Sequence, residues 1–260
     1  AIGFDMNHSG SSLVAWSWNA GTSVSGNTSG SGTSKTYTGS VNAAAGFSII
    51  KYIGNGTAGH TIPHHLGAEP DMMIIKGNED TNDWYVYGRP IGNTKGMQLS
   101  TSAAANTTNE YWDNTSPTST VFTTSFNPGN NRSNFPNIAY CFRNIEGYSK
   151  VGSYNGNGLS DGTFIYTGFR PGWIMTKCIS SSSSWIIWDT ERSTRNVITN
   201  DDLQADLNQA EGAGSWGIHM DILSNGYKFR NADNNAINAS GQSYLYLAFA
   251  DQPFKNANAR

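Results

Sequence analysis

Short apolar runs separated by polar turns dominate the hydrophobic pattern of this chain. The runs have strand length, about four to eight residues, and are rich in aromatic and β-branched residues, whereas Gly, Asn, Ser and Thr fill the gaps. In the first half the pattern predicts strands at Phe47–Tyr52, Met72–Lys76, Trp84–Tyr87 and Val121–Phe126. In the second half it predicts strands near 148–154, 163–167, 173–178, 185–189, 216–222, 226–230 and 244–250. Helical character is confined to Asn200–Leu207, where the sequence is compatible with either a short helix or a loop.

One pattern occurs three times without a gap, at Asn7–Trp18, Asn131–Phe142 and Asn238–Phe249. Each copy begins with Asn-x-Ser, continues with a polar spacer, and has an aliphatic residue at its eighth position and an aromatic residue at its twelfth. Asn and Ser side chains bond nearby backbone groups in turns. The pattern therefore predicts a turn that leads into a strand.

A second repeated block indicates that most of the chain is a tandem duplication. Gly67–Lys76 resembles Gly168–Lys177, and Trp84–Tyr87 resembles Trp185–Trp188 at the same offset of 101 residues. The order of turns and strands is the same in both halves. A period of about 100 residues is too long for a solenoid repeat and suits a small domain.

These repeats divide the chain into four parts. Residues 1–21 contain the terminal strand of a truncated repeat, whose two Trp side chains need a sheet to cover them. Residues 22–45 are rich in Gly, Ser and Thr and are expected to form a linker or an extended arm, with at most one strand at Ser34–Thr38. Residues 46–146 and 147–260 are expected to form tandem antiparallel β-sandwiches, because no helical crossovers are available for parallel strands. Since the chain begins inside a repeat, we expect a processed product or part of a longer protein.

Composition narrows the functional classes. Charged residues make up 13% of the chain, against roughly 25% in typical proteins, and aromatic residues reach 12%. This profile is typical of rigid all-β extracellular or virion proteins. The net charge of −3 and the lack of a Lys or Arg cluster argue against nucleic-acid binding. No apolar run approaches the roughly 18 residues of a membrane span, so no membrane insertion is expected.

Candidate metal ligands form two groups. His60, His64 and His65 are the densest cluster, but no cysteine lies nearby and the matching place in the second half reads Phe164–Thr167. Asn78–Asp83 offers oxygen ligands of the kind calcium prefers, without EF-hand spacing. Packed or exposed turn histidines and a solvated hairpin loop explain these groups better, so we predict neither a metal site nor a cofactor. The two cysteines, Cys141 and Cys178, are expected to be buried free thiols.

Candidate catalytic carboxylates do not form a recognisable pair. Glycoside hydrolysis needs two acids about 5–10 Å apart, and the candidates are Glu69, Asp71, Asp113, Asp189, Glu191 and Asp221. Glu69 and Asp71 flank a turn proline, which normally means exposure. No Gly-x-Ser-x-Gly elbow or phosphate loop occurs. We therefore predict that the chain is not an enzyme.

Binding residues are expected in the loops where the two halves differ most, at 100–119 and 194–215, because the shared strands are committed to the cores. Aromatic rings beside amide and carboxylate groups suit a sugar. The candidate binding residues are Tyr111, Trp112, Asp113, Asp201, Asp202 and Trp216. The alternative is that both loops contact neighbouring subunits.

Several blocks of the chain resemble a repeat domain in structural proteins of tailed phages, especially marine ones, that form tail fibres or other virion parts. These blocks are Gly46–Tyr52, His64–Lys76, Ile138–Phe142, Glu146–Gly158 and Tyr166–Pro171. The resemblance covers nearly the whole chain. It implies lectin-like or jelly-roll-like β-sandwiches on the exterior of a virion, and it brings no catalytic residues.

The expected function is that of a non-enzymatic phage virion structural protein, as a tail fibre, appendage or capsid decoration that contacts the host surface. The alternatives are a glycan-binding, lectin-like receptor-binding module and a phage depolymerase. The expected partners are further copies of the chain, with a homotrimer as the first expectation, other virion proteins and a host-surface glycan.

Overall fold

A computed structural model describes residues 14–78, 81–192, 198–199, 201–212, 219–232 and 234–252. The strands of the first half are β1 (Thr22–Asn27), β2 (Ser29–Gly30), β3 (Thr36–Asn42), β4 (Phe47–Ile53), β5 (His60–Pro63), β6 (Met72–Gly77), β7 (Tyr85–Gly88), β8 (Lys95–Gln98), β9 (Asn106–Thr107), β10 (Val121–Thr124) and β11 (Pro136–Phe142). A one-turn helix, α1 (Pro128–Asn131), precedes β11. The strands of the second half are β12 (Ser149–Asn155), β13 (Phe164–Tyr166), β14 (Pro171–Cys178), β15 (Trp185–Asp189), β16 (Ile198–Thr199), β17 (Leu203–Gln204), β18 (His219–Leu223), β19 (Gly226–Phe229) and β20 (Ser243–Ala250).

The strands form four antiparallel sheets, which confirms the predicted all-β fold class. Large sheet 1 has the order β1-β3-β4-β11-β6-β7-β8-β9, and small sheet 1 has the order β10-β5-β2. Large sheet 2 has the order β12-β20-β14-β15-β17, and small sheet 2 has the order β13-β19-β18-β16. Within the described ranges, no helix reaches the length and apolarity that a membrane span requires.

Three hydrophobic cores join the sheets into four layers. Outer core 1 lies between small sheet 1 and large sheet 1, and outer core 2 lies between large sheet 2 and small sheet 2. The central core lies between the two large sheets. In β20, Tyr246 and Ala248 enter outer core 2, whereas Leu245, Leu247 and Phe249 enter the central core. Both faces of each large sheet are buried, which explains why their strands read as continuous apolar runs.

The four central strands of the two large sheets, β4-β11-β6-β7 and β12-β20-β14-β15, share their order and register. Met72 lies opposite Gly88 in the hairpin of β6 and β7, and Trp173 lies opposite Asp189 in the hairpin of β14 and β15. Both second-half residues stand 101 positions further along the chain. The neighbouring pairs β4–β11 and β12–β20 also correspond residue by residue. This agreement supports the duplication that the sequence indicates.

Residues 22–45 form three strands, β1, β2 and β3, where the sequence predicted a linker or arm with at most one strand; only β3 overlaps the strand predicted at Ser34–Thr38. β1 pairs with β3, and β3 pairs with β4, so this segment extends large sheet 1. The reason is Tyr37, whose ring is buried in outer core 1 and whose hydroxyl is hydrogen-bonded to His65 at 2.9 Å. The burial of the Tyr37 ring and the backbone hydrogen bonds of β1 and β3 hold this segment in the sheet, although its Gly, Ser and Thr content is typical of a linker.

The prediction of a terminal strand within 1–21 is wrong for residues 14–21, the part of this segment that the structure describes. Residues 1–13 lie outside the described residues, and residues 14–20 form no strand. Trp16 and Trp18 instead pack as half-buried side chains against the central core. The two large sheets leave space between their facing surfaces, and the Trp16 and Trp18 rings pack into it without their segment pairing with either sheet.

Two further predictions concern the second variable loop. Asn200 lies outside the described residues, and residues 201–207 contain the short strand β17 and no helix. Leu203 pairs with Ile187 at the edge of large sheet 2, so tertiary pairing decides the conformation. The strand predicted at 216–222 is described from His219 onward, and Trp216 lies outside the described residues.

Candidate functional site

Tyr111 and Trp112 lie in outer core 1, which corrects the prediction that they face a ligand. Trp112 is only 1% exposed, and the Tyr111 ring packs at 4.7 Å from the ring of Tyr85. The close approach needs a glycine, since a Cβ atom at Gly96 would lie 2.0 Å from the Tyr111 ring. Asp113, the next residue, is half-buried in a left-handed conformation with φ 51°. Only Asp113 of this predicted group reaches the surface.

Asp201 and Asp202 lie beside β17, away from the core that holds Tyr111. Asp201 is half-buried, whereas Asp202 is 2% exposed. Burial raises the pKa of the Asp202 carboxyl group. The nearby Arg192 binds Asp189 at 2.7 Å and Glu211 at 2.6 Å. The candidate residues of the two loops therefore do not form one site. Trp216, the remaining candidate in the second loop, lies outside the described residues.

The histidines considered as metal ligands have structural partners. His60 is hydrogen-bonded through its two ring nitrogens to Asn131 at 2.9 Å and to Thr28 at 2.7 Å. His64 is hydrogen-bonded to the carbonyl oxygen of Thr118 at 3.1 Å. Among the described residues, no group of three or more His, Cys, Asp or Glu side chains could hold a metal ion. Cys141 and Cys178 are both buried free thiols, as predicted.

Four of the candidate catalytic acids are bound to arginines. Asp189 binds Arg192 at 2.7 Å. Burial raises the pKa of the Asp189 carboxyl group, whereas the hydrogen bonds and the charge of Arg192 lower it, and the net effect is a lowering. Arg89 lies 3.2 Å from Asp71 and 3.8 Å from Glu69. Asp221, the fourth, lies on small sheet 2, which also carries two exposed aromatic rings, and this surface is the strongest candidate for a binding site.

The exposed rings belong to Phe164 and Tyr166, the two ends of β13. Successive side chains of a strand point to opposite faces, and Ile165 between them is buried in outer core 2. Phe164 is 42% exposed and Tyr166 is 62% exposed. Both rings therefore lie on the outer surface of small sheet 2.

A glycine lies beside the Phe164 ring. A Cβ atom at Gly226, on the neighbouring strand β19, would lie 2.1 Å from the carbonyl oxygen of Ile165 and 3.0 Å from a ring carbon of Phe164. Glycine at this position therefore lets the two strands approach and leaves room for the ring. Much of the Phe164 and Tyr166 rings stays open to solvent.

Four charged side chains form a linked group at the Phe164 end of the strand. Phe164 lies opposite Lys228, and Lys228 lies opposite Asp221, so the three form one row across the sheet. Asp161 binds Lys228 at 2.7 Å and Arg230 at 3.1 Å, while Arg230 binds Asp221 at 2.5 Å. The hydrogen bond from Lys228 lowers the pKa of Asp161. We use the name aromatic face for Phe164, Tyr166, Asp161, Asp221, Lys228 and Arg230, whose two positive and two negative charges balance.

Among the described residues of the first half, no pair of exposed rings stands at the equivalent strand positions. In the matching register, Thr61 and Pro63 of β5 stand where Phe164 and Tyr166 stand in β13. The Thr61 hydroxyl group also bonds Ser29 of β2 at 2.8 Å. Sequence reasoning missed the aromatic face because Phe-Ile-Tyr reads as a fully buried strand. A comparison with Thr61–Pro63 of the first half could have indicated it. Isoleucine occupies the middle position in both segments, whereas the outer positions differ, which is typical of residues that face away from a core.

A family model described as "Domain of unknown function (DUF7483)" matches residues 3–253. No curated protein and no solved structure matches the chain.

Proposed function

The chain belongs to the DUF7483 family, and on that premise we propose that it is a non-enzymatic surface module of a virion that binds host glycans through its aromatic face. The observation that carries the glycan part is the pair of exposed rings, Phe164 and Tyr166, on a regular sheet among balanced charges. The virion part is supported by the resemblance of the repeated sequence blocks to tail-fibre proteins. In this proposal the module self-associates, with a homotrimer as the first expectation, and contacts other virion proteins.

The rings suit the apolar faces of sugar units. An aromatic side chain offers a large apolar surface at a small cost in conformational entropy. Phe164 and Tyr166 are two residues apart on one strand, so their Cα atoms are about 6.6 Å apart. This spacing lets both rings contact one short segment of a glycan chain.

The charged groups suit the hydroxyl groups of sugars. Carboxylate oxygens of Asp161 and Asp221 accept hydrogen bonds, while Lys228 and Arg230 donate them. Because these four charges neutralise one another, the surface favours a neutral glycan over a strongly anionic one. Since the four side chains hold one another in place, little ordering is required when a ligand binds.

The test compares two variants that remove exposed aromatic rings from different places. The double variant F164A/Y166A should weaken binding to host polysaccharide by about tenfold or more, since interface anchors commonly contribute over 1 kcal/mol each. The control F126A removes a ring that is 52% exposed outside the aromatic face, and it should bind like the unaltered protein. A glycan array followed by calorimetric titration measures the affinity, and adsorption to host cells measures the biological effect.

Three outcomes would contradict the proposal. Equal affinities for the double variant and the unaltered protein would remove the aromatic face from glycan binding. Loss of virion assembly with unchanged glycan affinity would indicate that this surface contacts another subunit. New reducing ends after incubation with host polysaccharide would show that the protein is a depolymerase.

A further inference from the structure

A cavity of about 390 Å³ lies between the two large sheets, on the opposite side of large sheet 2 from the aromatic face. Large sheet 1 contributes Tyr140 to its lining, and large sheet 2 contributes Trp173 and Leu247. Trp16 and Trp18 of the unpaired segment 14–20 form a further part of the wall. The cavity is thus bounded by both halves of the chain and by its first described segment.

The Trp segment is held firmly in this position. The Trp18 ring lies 6.2 Å from the ring of Phe142 in large sheet 1 and 5.5 Å from the ring of Phe249 in large sheet 2. The indole N–H of Trp16 donates a hydrogen bond to Asp189 at 3.2 Å. These contacts fix the wall on both sides, so the cavity is formed before any ligand enters.

Trp84 is the most exposed residue of the cavity lining, and we take its side as the mouth. It is 36% exposed and stacks on Tyr140 with a ring separation of 6.4 Å. The equivalent residue in the second half, Trp185, is 1% exposed and donates its indole N–H to the carbonyl oxygen of Gln98 at 2.9 Å.

The lining determines the class of ligand. None of its described side chains carries a charge; they are aliphatic, aromatic or methionine side chains. An enclosed apolar cavity of about 150 Å³ holds benzene. The volume here therefore has room for about fifteen non-hydrogen atoms on the same scale. An indole and a phenol at the mouth suit the boundary between an apolar chain and a polar end.

We infer that this cavity binds the hydrocarbon chain of an amphipathic molecule, with the polar end outside Trp84 and Tyr140. The chain is either a free fatty acid or alcohol, or the acyl chain of a membrane lipid. Apolar walls on both sheets give binding energy in proportion to the hydrocarbon area removed from water. This site is separate from the aromatic face and does not depend on glycan binding.

The probes are 1-decanol and dodecanoate, titrated into the full chain with calorimetry and tryptophan fluorescence as readouts. Saturable binding with one site per chain and a change in fluorescence is expected, because four tryptophans line the cavity. The variant L99W replaces a leucine of the lining, close to Trp84, by a bulky indole ring. It should weaken the binding of both ligands at least tenfold. The control L207W changes a residue that is 44% exposed and outside the lining, and it should bind normally.

A second variant covers the case in which L99W fails to fold. W84A removes the exposed ring at the mouth and should also weaken both ligands. Titration with phosphatidylcholine vesicles separates the two sources of the chain, since a lipid site binds vesicles and a fatty-acid site binds only the free molecules. Absence of saturable binding, or equal affinities in the unaltered protein, L99W and W84A, would overturn the inference. Dissociation of an oligomer when decanol is added would show instead that a second copy fills the cavity.

Discussion

At the scale of single residues, several buried polar side chains form hydrogen bonds to the backbone of distant segments. Lys177 is fully buried, and its ammonium group donates to the carbonyl oxygens of Ser102 at 2.9 Å and Ser183 at 2.5 Å. Burial lowers the pKa of Lys177 to about 8. His64 is buried in the same way and has a partner for its ring. Such groups are stable inside the protein because their hydrogen bonds replace those with water.

His64 should make the fold sensitive to mild acid. Burial lowers its pKa to about 4 from the ordinary 6.5, so the unfolded chain takes up the proton first as the pH falls. The stability contributed by the neutral ring is present above about pH 6.5 and is lost progressively down to about pH 4, with a total of about 3 kcal/mol. Denaturant unfolding across this range measures the loss. The variant H64Q should show a smaller pH dependence, and equal slopes would contradict the assignment to His64.

At the scale of elements, one buried asparagine in each half joins a glycine-rich loop to the turn before the last strand. Asn131 accepts a hydrogen bond from the backbone of Asn55 at 2.9 Å and donates to the carbonyl oxygen of Thr57 at 2.9 Å. Asn238 does the same with Asn157 at 3.1 Å and Leu159 at 3.0 Å. This clamp explains why the Asn-x-Ser pattern and the Gly-Asn-Gly pattern both occur in each half. Here the side chain bonds a distant loop, whereas the sequence predicted a bond to its own turn.

Removal of either clamp should destabilise the fold. N131A and N238A leave several buried backbone groups without partners, and each such group costs about 1–3 kcal/mol. We therefore expect each variant to lose about 2–4 kcal/mol of unfolding free energy. The control N27A changes an exposed residue of β1 and should stay within about 0.5 kcal/mol. Urea unfolding monitored by circular dichroism provides the comparison; a loss for N238A no larger than that for N27A would show that the clamp is dispensable.

At the scale of the whole molecule, the central core joins the two halves. The faces of β14 and β20 that carry Met175 and Leu247 pack against the face of large sheet 1 that carries Phe47 and Ile74. Trp18 contacts both sides. Each half alone would therefore expose a large apolar face to water. This arrangement differs from tandem domains that contact each other only through small polar interfaces.

The two halves should consequently unfold in one transition. Scanning calorimetry should give a single peak whose calorimetric and van't Hoff enthalpies agree, as expected for one cooperative unit. W18A, which removes a ring shared by both sheets, should shift the whole peak to lower temperature. Two separated peaks in the unaltered protein would mean that the halves fold independently. Light scattering on the same sample tests the homotrimer, which stays a prediction.

The amino-acid sequence by itself predicted the four central strands of each large sheet, β4, β11, β6 and β7 in one and β12, β20, β14 and β15 in the other. Phe47–Tyr52, Met72–Lys76 and their counterparts are long apolar runs with clear turn residues at their ends. Burial on both faces requires such runs, so local pattern and tertiary position agree. The buried free cysteines also follow from strand-like surroundings. In these segments the pattern identifies the strand directly.

Tertiary structure alone decided which aromatic residues face solvent. Tyr111 and Trp112 stand in a polar segment yet are buried, whereas Phe164 and Tyr166 stand in an apolar segment yet are exposed. The segment at 22–45 became part of a sheet, and Trp16 and Trp18 filled space between sheets without joining one. The physical reason is that burial depends on which surfaces meet across long sequence separations. A window of neighbouring residues carries no information on what packs against its outer face.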